Sequence, residues 1–178
     1  AAGMKLIWSP KSNLFLYNDT TRIDQALLAG VNTIALAPDW SLGGSVNQLD
    51  ELRVAQSVGQ NKFSGMLTAQ RLFSMVTLDA ARALGVDSML GSLEVGKRAD
   101  VVLLRVNGSD PYSALLTASP RDVDLVMVDG KALYGTLELK TSAPSIPGCE
   151  ELSLCGQTKF VCVAESSTQN KLNQTYAE

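Results

Sequence analysis

The 178-residue chain contains no histidine. Histidine is the usual general base near neutral pH and the commonest metal ligand. Its absence excludes a Ser-His-Asp triad and any imidazole-based zinc site within this chain. Hydrolytic chemistry would have to rest on carboxylates, lysines or groups supplied from elsewhere. Charge is also scarce: 19% of residues are charged, and the net charge is −3. That balance gives no electrostatic footprint for nucleic acid or for an anionic membrane. It also predicts a surface that is partly uncharged or covered by partner structure. No apolar run approaches the ~18 residues needed to span a bilayer. The opening Ala1-Ala2-Gly3-Met4-Lys5 lacks the apolar core of a signal peptide. These absences read as a cytoplasmic protein, with the periplasm as the alternative. The only cysteines, Cys149, Cys155 and Cys162, match no zinc pattern. A disulfide between two of them is left open, and free or partly buried thiols are the expectation. Sequons at Asn18, Asn107 and Asn173 carry no weight, because such tripeptides are common by chance.

Hydrophobic residues make up 46% of the chain, and its length suits one ordinary domain. Lys5 to Trp8 is a short apolar run stopped by Ser9-Pro10, and it predicts a buried strand. Ser12-Asn13 and Asn18 to Thr21 are rich in turn formers. Thr21 is placed to cap a helix over 22–29 that stops at Gly30. Val31 to Ala37 predicts a second buried strand, ended by Pro38. Ser41 to Ser45 is a loop, and Ser45 with Gln48 suggests a capping box for a helix to about Gln60. Leu49, Leu52, Val54, Ala55 and Val58 have helical spacing along it. Two more helices follow over 68–75 and 77–84, with Gly85 as the stop. The order strand–helix–strand–helix indicates a parallel α/β arrangement. Two parallel strands cannot cover their own faces and edges, so this segment reads as part of a larger barrel or sheet.

After Gly85 the pattern changes. Asp100 to Val106 and Asp124 to Val128 predict strands. Asp129-Gly130 is a hairpin signal, and Lys131 to Tyr134 is the returning strand. The stretches 137–140 and 159–163 alternate weakly and suggest edge strands. From Ser166 the tail is rich in Ser, Thr, Gln and Asn and is expected to be mobile.

Three stretches carry a family resemblance. Trp8-Ser9-Pro10-Lys11-Ser12-Asn13-Leu14 resembles a Pro-x-Ser-Asn segment after barrel strand seven. Ala37-Pro38-Asp39-Trp40-Ser41, followed by Gly44-Ser45, Asn47 and Glu51-Leu52, resembles a strand-eight aspartate segment and its helix. Gly91 to Leu103 (GSLEVGKRADVVL), with Val128-Asp129-Gly130-Lys131 behind it, is close to a return into a small β-domain. All three resemble segments of the amidohydrolase superfamily, in its cytosine-deaminase-like and triazine-hydrolase-like branch. The resemblance covers roughly residues 4 to 135. Trp8-Ser9 stand where many members carry histidine, and the family's other histidine ligands, on the first six strands, have no counterpart here.

The resemblance implies an α/β fold: the carboxy-terminal part of a TIM-like (β/α)8 metal-dependent hydrolase barrel plus a small β-sandwich-like domain. Residues 1–85 would be the last two strand–helix units, 86–165 the small β-domain and 166–178 a flexible polar tail. It makes Asp39 the strand-eight aspartate, a metal ligand and general base. A divalent ion lowers the pKa of bound water to about 7, and a nearby carboxylate can accept its proton. The competing reading is an aspartate that merely closes a turn. Trp40 is a candidate wall of the substrate pocket or, equally, a packing residue. Ser12 and Asn13 are candidates for the pocket mouth, although a structural loop is the favoured reading. The glycine loop before Ser45 lacks the lysine and spacing of a phosphate-binding loop. Asp100 reads as structural.

The implied function is part of a metal-dependent amidohydrolase, zinc being the implied metal, that hydrolyses non-peptide carbon–nitrogen bonds or deaminates a small molecule. The alternative is a non-catalytic structural or binding module. With every histidine ligand missing, the chain alone is expected to bind no metal. Its expected partners are the missing amino-terminal half or a second copy of itself.

Overall fold

The computed structural model describes residues 3–106, 108–144, 148–154 and 156–162. The chain forms two compact units, Ala1–Lys97 with Asn107–Thr117, and Arg98–Val106 with Ala118–Glu178.

In the first unit, strands β1 (Lys5–Trp8) and β2 (Thr33–Leu36) pair in parallel, with Lys5 opposite Thr33 and Trp8 opposite Leu36. Helices α1 (Pro10–Tyr17), α2 (Ile23–Leu28), α3 (Gln48–Lys62), α4 (Ala69–Met75), α5 (Leu78–Leu84) and α6 (Pro111–Thr117) complete it. The core gathers Trp8, Ile23, Ile34, Leu52, Leu72 and Met75, all buried. The Trp8 indole donates from Nε1 to Thr20 Oγ1 at 2.8 Å, and its ring centroid lies 6.1 Å from that of Phe63. Trp8 thus buries its apolar body while its one polar atom stays satisfied.

Several expectations are corrected here. β2 is buried as predicted, but β1 is not: Ile7 is 58% exposed, and only Trp8 is buried. A two-stranded sheet leaves each strand an unpaired edge, and Ile7 points away from the core that Trp8 fills. The Ser12-Asn13 stretch is not a turn but the middle of α1, because Pro10 at the first turn presets φ and has no amide to satisfy. Thr21 does not cap α2; the capping position falls on Arg22, whose guanidinium pairs with Asp24. The cap of α3 is Asn47 rather than Ser45: its side chain accepts from Asp50 N at 2.9 Å, and the helix runs on to Lys62. α4 and α5 fall where expected, with Gly85 left-handed at the end of α5.

The second unit is a five-stranded antiparallel sheet of order β3-β4-β5-β7-β6. Its strands are β3 (Val101–Leu104), β4 (Val123–Val128), β5 (Lys131–Thr136), β6 (Glu150–Leu154) and β7 (Gln157–Val161). The Asp129-Gly130 turn joins β4 to β5 with positive φ at both residues, as the two-residue hairpin requires. Asp100 is structural, accepting from Asp129 N at 2.7 Å. Leu137–Ser142 is a 3-10 helix rather than an edge strand. The buried Lys159 donates to Val123 O at 2.9 Å and lies 3.6 Å from Asp124, which Arg105 also grips. These bonds meet the cost of burying its charge. The tail from Ser166 lies outside the described residues.

Cys149 and Cys162 form a disulfide, which corrects the expectation of free thiols. The sequence gives no sign of the pairing, because the sheet brings the two Cα atoms to 4.1 Å across 13 residues of chain. Thiol titration of the unreduced, denatured protein should therefore find one reactive thiol of the three; finding three would refute the pairing. A loop of this length makes the bond worth about 3 kcal/mol, so Cys162→Ser should lower the stability of this unit by roughly that amount in a denaturant melt.

Candidate active site

β1 and β2 are parallel, so both carboxyl ends lie on one edge of the sheet, where barrels of this kind carry their reacting groups. Three interactions fix that edge. Ala37 N donates to Trp8 O at 3.0 Å, which extends the ladder by one step. The Ser9 hydroxyl donates to Ala37 O at 2.7 Å, and the Gln48 side-chain amide donates to Leu36 O at 3.0 Å. Asp39 follows two residues after Ala37 and is exposed. A carboxylate thus stands in solvent at the end of a buried strand whose last peptide groups are held from both sides.

The loop after Asp39 is tightly made. Gly44 N donates to Trp40 O at 2.7 Å, and a Cβ at Gly44 would sit 2.6 Å from that same oxygen. Only glycine fits there. Gly43 lies between the Phe15 ring and the Trp40 indole, where a Cβ would approach Phe15 Cδ1 to 2.6 Å. Trp40 is 45% exposed and Phe15 66% exposed, so the two rings flank the loop beside Asp39 with open faces.

The other predicted site residues are placed differently. Ser12 is buried, and its hydroxyl donates back to Ser9 O at 3.2 Å. Asn13 is half-buried, and its Oδ1 accepts from the hydroxyls of Thr20 and Thr21 at 3.4 and 3.2 Å. Ser12 thus ties down the start of α1, and Asn13 organises the segment between α1 and α2. Sequence reading gave Gln48 and Glu51 no place at this site, although Gln48 holds the end of β2 and Glu51 the start of α1. Glu51 is fully buried, and its Oε1 accepts from Lys11 N at 3.1 Å. A signal for it existed: Glu51 shares the helical face of Ala55 and Val58, both core residues.

Among the described residues no three histidine, cysteine, aspartate or glutamate side chains converge on a point. Catalytic zinc takes three protein ligands and structural zinc four. Asp39 can offer one oxygen ligand, and the described residues do not by themselves make a metal centre. A separate cavity of about 320 Å³ is lined by Asp19, Thr20, Arg22, Lys62 and Phe63. There the hydrogen bond from Lys62 holds the Asp19 carboxyl below its ordinary pKa. Asp39 does not line it.

A model of the amidohydrolase family matches residues 3–133. A 5-methylthioadenosine/S-adenosylhomocysteine deaminase of Thermoanaerobacter pseudethanolicus is 32% identical over 145 residues, which is 76% of this chain and 33% of that protein. Among solved structures, an adenosine deaminase from Xanthomonas campestris with bound zinc is similar, at a TM-score of 0.64 and 29% identity. That match covers 71% of this chain and 31% of the other. E. coli guanine deaminase is similar at a TM-score of 0.65 and 26% identity, over 75% of this chain and 34% of the other. The chain spans about a third of the length of the curated relatives it matches.

Proposed function

Because the chain belongs to the amidohydrolase family, we propose that it is the carboxy-terminal share of a metal-dependent enzyme that hydrolyses a non-peptide carbon–nitrogen bond or deaminates a small molecule. In this reading the first unit, Ala1–Lys97 with Asn107–Thr117, carries the last two strand–helix units of the barrel, and the second, Arg98–Val106 with Ala118–Glu178, is its small β-domain; α6 moves the boundary from the 85/86 expected from the sequence. The observation that carries the reading is the position of Asp39, an exposed carboxylate just past the end of a buried parallel strand. When bound, a divalent ion, zinc by analogy with the relatives, supplies the Lewis acidity that makes water nucleophilic. Asp39 would offer such an ion one ligand oxygen and would accept the proton of the attacking water. Trp40 walls the substrate side of the loop. The remaining ligands come from outside this chain.

A second reading, a non-catalytic structural or binding module, is favoured by one fact: the chain has no histidine, and no other metal-ligating side chains converge among the described residues. The partner in the first reading is the rest of the barrel, and the exposed Met4, just before β1, and Ile7, on β1, mark where it would pack. No helix among the described residues is long and apolar enough to cross a membrane. The Cys149–Cys162 bond favours the periplasm over the cytoplasm, since such bonds persist where thiols are not kept reduced.

The test uses the full-length protein and a panel of amino-substituted nitrogen heterocycles. Ammonia release should occur, disappear on chelation and return with zinc. The isolated chain should retain no stoichiometric zinc after desalting. A metal-replete full-length protein that releases no ammonia and turns over no carbon–nitrogen substrate would support the binding-module reading instead, and tight zinc in the isolated chain would overturn the assignment of the ligands.

A further inference from the structure

We propose that Glu51 is a positioning residue that fixes the segment following β1 relative to the segment carrying Asp39; this rests on the reading of Asp39 given above. Glu51 lies in the first turns of α3, the helix after β2, and is 0% exposed. Its Oε1 accepts from Lys11 N, at the start of α1, the helix after β1. The need for that acceptor follows from the local sequence. Pro10 has no amide proton, and Ser9, whose hydroxyl donates to Ala37 O, makes no side-chain cap bond to α1. Lys11 N is therefore the first amide of α1 in need of a partner, and none is available locally.

The carboxylate serves two helix ends at once. It sits in the positive field at the start of its own helix, and it bonds directly to the start of the other. It also spans the two strand-to-helix crossings, with β1 and Trp8 behind one, β2 and Leu36 behind the other. Its Oε2 is buried without a hydrogen-bond partner among the described residues. Burying a carboxylate this incompletely satisfied is expensive, and an apolar side chain of similar volume would pack at lower cost. What the glutamate adds is a fixed distance between α1 and α3, and with it the placing of Asp39 against whatever the α1 segment presents.

The test compares Glu51→Gln and Glu51→Met in the full-length protein. Glutamine keeps an acceptor for Lys11 N; methionine keeps the volume alone. Amide exchange at Lys11 should be slow in the wild type and in Glu51→Gln, and at least about tenfold faster in Glu51→Met. With metal content unchanged, Glu51→Met should lower kcat by about 10- to 100-fold, with KM moving less than threefold, as a displacement of about 1 Å does. Glu51→Gln should restore most of it. Equal behaviour of the two variants would overturn the proposal. So would fast exchange at Lys11 in the wild type, a result that needs no variant to fold. The exchange readout does not depend on turnover, so it stands apart from the assignment of Asp39: an active Asp39→Asn enzyme would sink that assignment and leave the Lys11 result intact.

Discussion

Asp39→Asn in the full-length protein should lower kcat by about 10²–10⁴-fold, the range spanned by a positioned general base, and leave the fold unchanged. The two halves of that expectation have different origins. The loss in rate follows from exchanging a side chain that can accept a proton for an amide that cannot, with almost no change in shape. The lack of a structural effect follows from exposure: Asp39 stands in solvent, and surface substitutions of this kind stay within about ±0.5 kcal/mol. The hydrogen bonds that shape the strand end belong to Ser9, Ala37 and Gln48, not to Asp39. Steady-state kinetics and a thermal melt on the same preparation separate the effects. An enzyme that keeps wild-type kcat would remove Asp39 from the chemistry. A variant that unfolds would show that the carboxylate only closes a turn.

The opposite profile is expected of Trp8→Ala, where the loss is one of stability. Trp8 is 1% exposed at the centre of the first unit, against Phe63 and the ends of both strands. Truncating a buried tryptophan to alanine costs about 3–5 kcal/mol, combining lost transfer energy with an incompletely collapsed cavity. It also leaves Thr20 Oγ1 without the indole donor. In a domain of this size the melting temperature should fall by roughly 10 °C. Trp8→Phe keeps most of the volume and loses the hydrogen bond, so it should cost about 1–2 kcal/mol. A melt of Trp8→Ala within a degree of the wild type would show that this core tolerates the void.

The contrast between these two residues shows what the sequence made legible. A short apolar run before Ser9-Pro10 and another before Pro38 marked both parallel strands, since proline has no amide to continue a central ladder. Asp129-Gly130 marked the hairpin, and Gly85 a helix end, because few residues accept positive φ. The place of Asp39 just past a strand end was legible too, since Pro38 marks where the strand stops. What stayed hidden depends on partners far along the chain. Ser12 and Asn13 are good turn formers, yet Pro10 and the Glu51 carboxylate, 40 residues from the amide it meets, make that stretch a helix. Ser45 and Asn47 are both good caps, and only packing selects Asn47. β6 has the sequence EELSL, whose alternation is weak because Glu150 takes one of the three partly buried positions, leaving only Leu152 and Leu154 to show it. The disulfide and the buried Lys159 depend on the sheet register, which is not written in either residue's neighbourhood.

The chain order of the two units has a consequence for inheritance. The chain enters the antiparallel sheet through β3, leaves it to contribute α6 to the first unit, and only then returns for β4 to β7. Leu116 of α6 is 2% exposed in the first unit's core. No single cut therefore yields both units whole. A break after Lys97 strips the first unit of α6, and a break after Thr117 removes β3 from an edge of the sheet. Recombination at a simple linker, the usual way in which domains are exchanged between genes, would damage one unit or the other. The pair has to be inherited as one piece, and a substitution that suits one unit is carried along with the other.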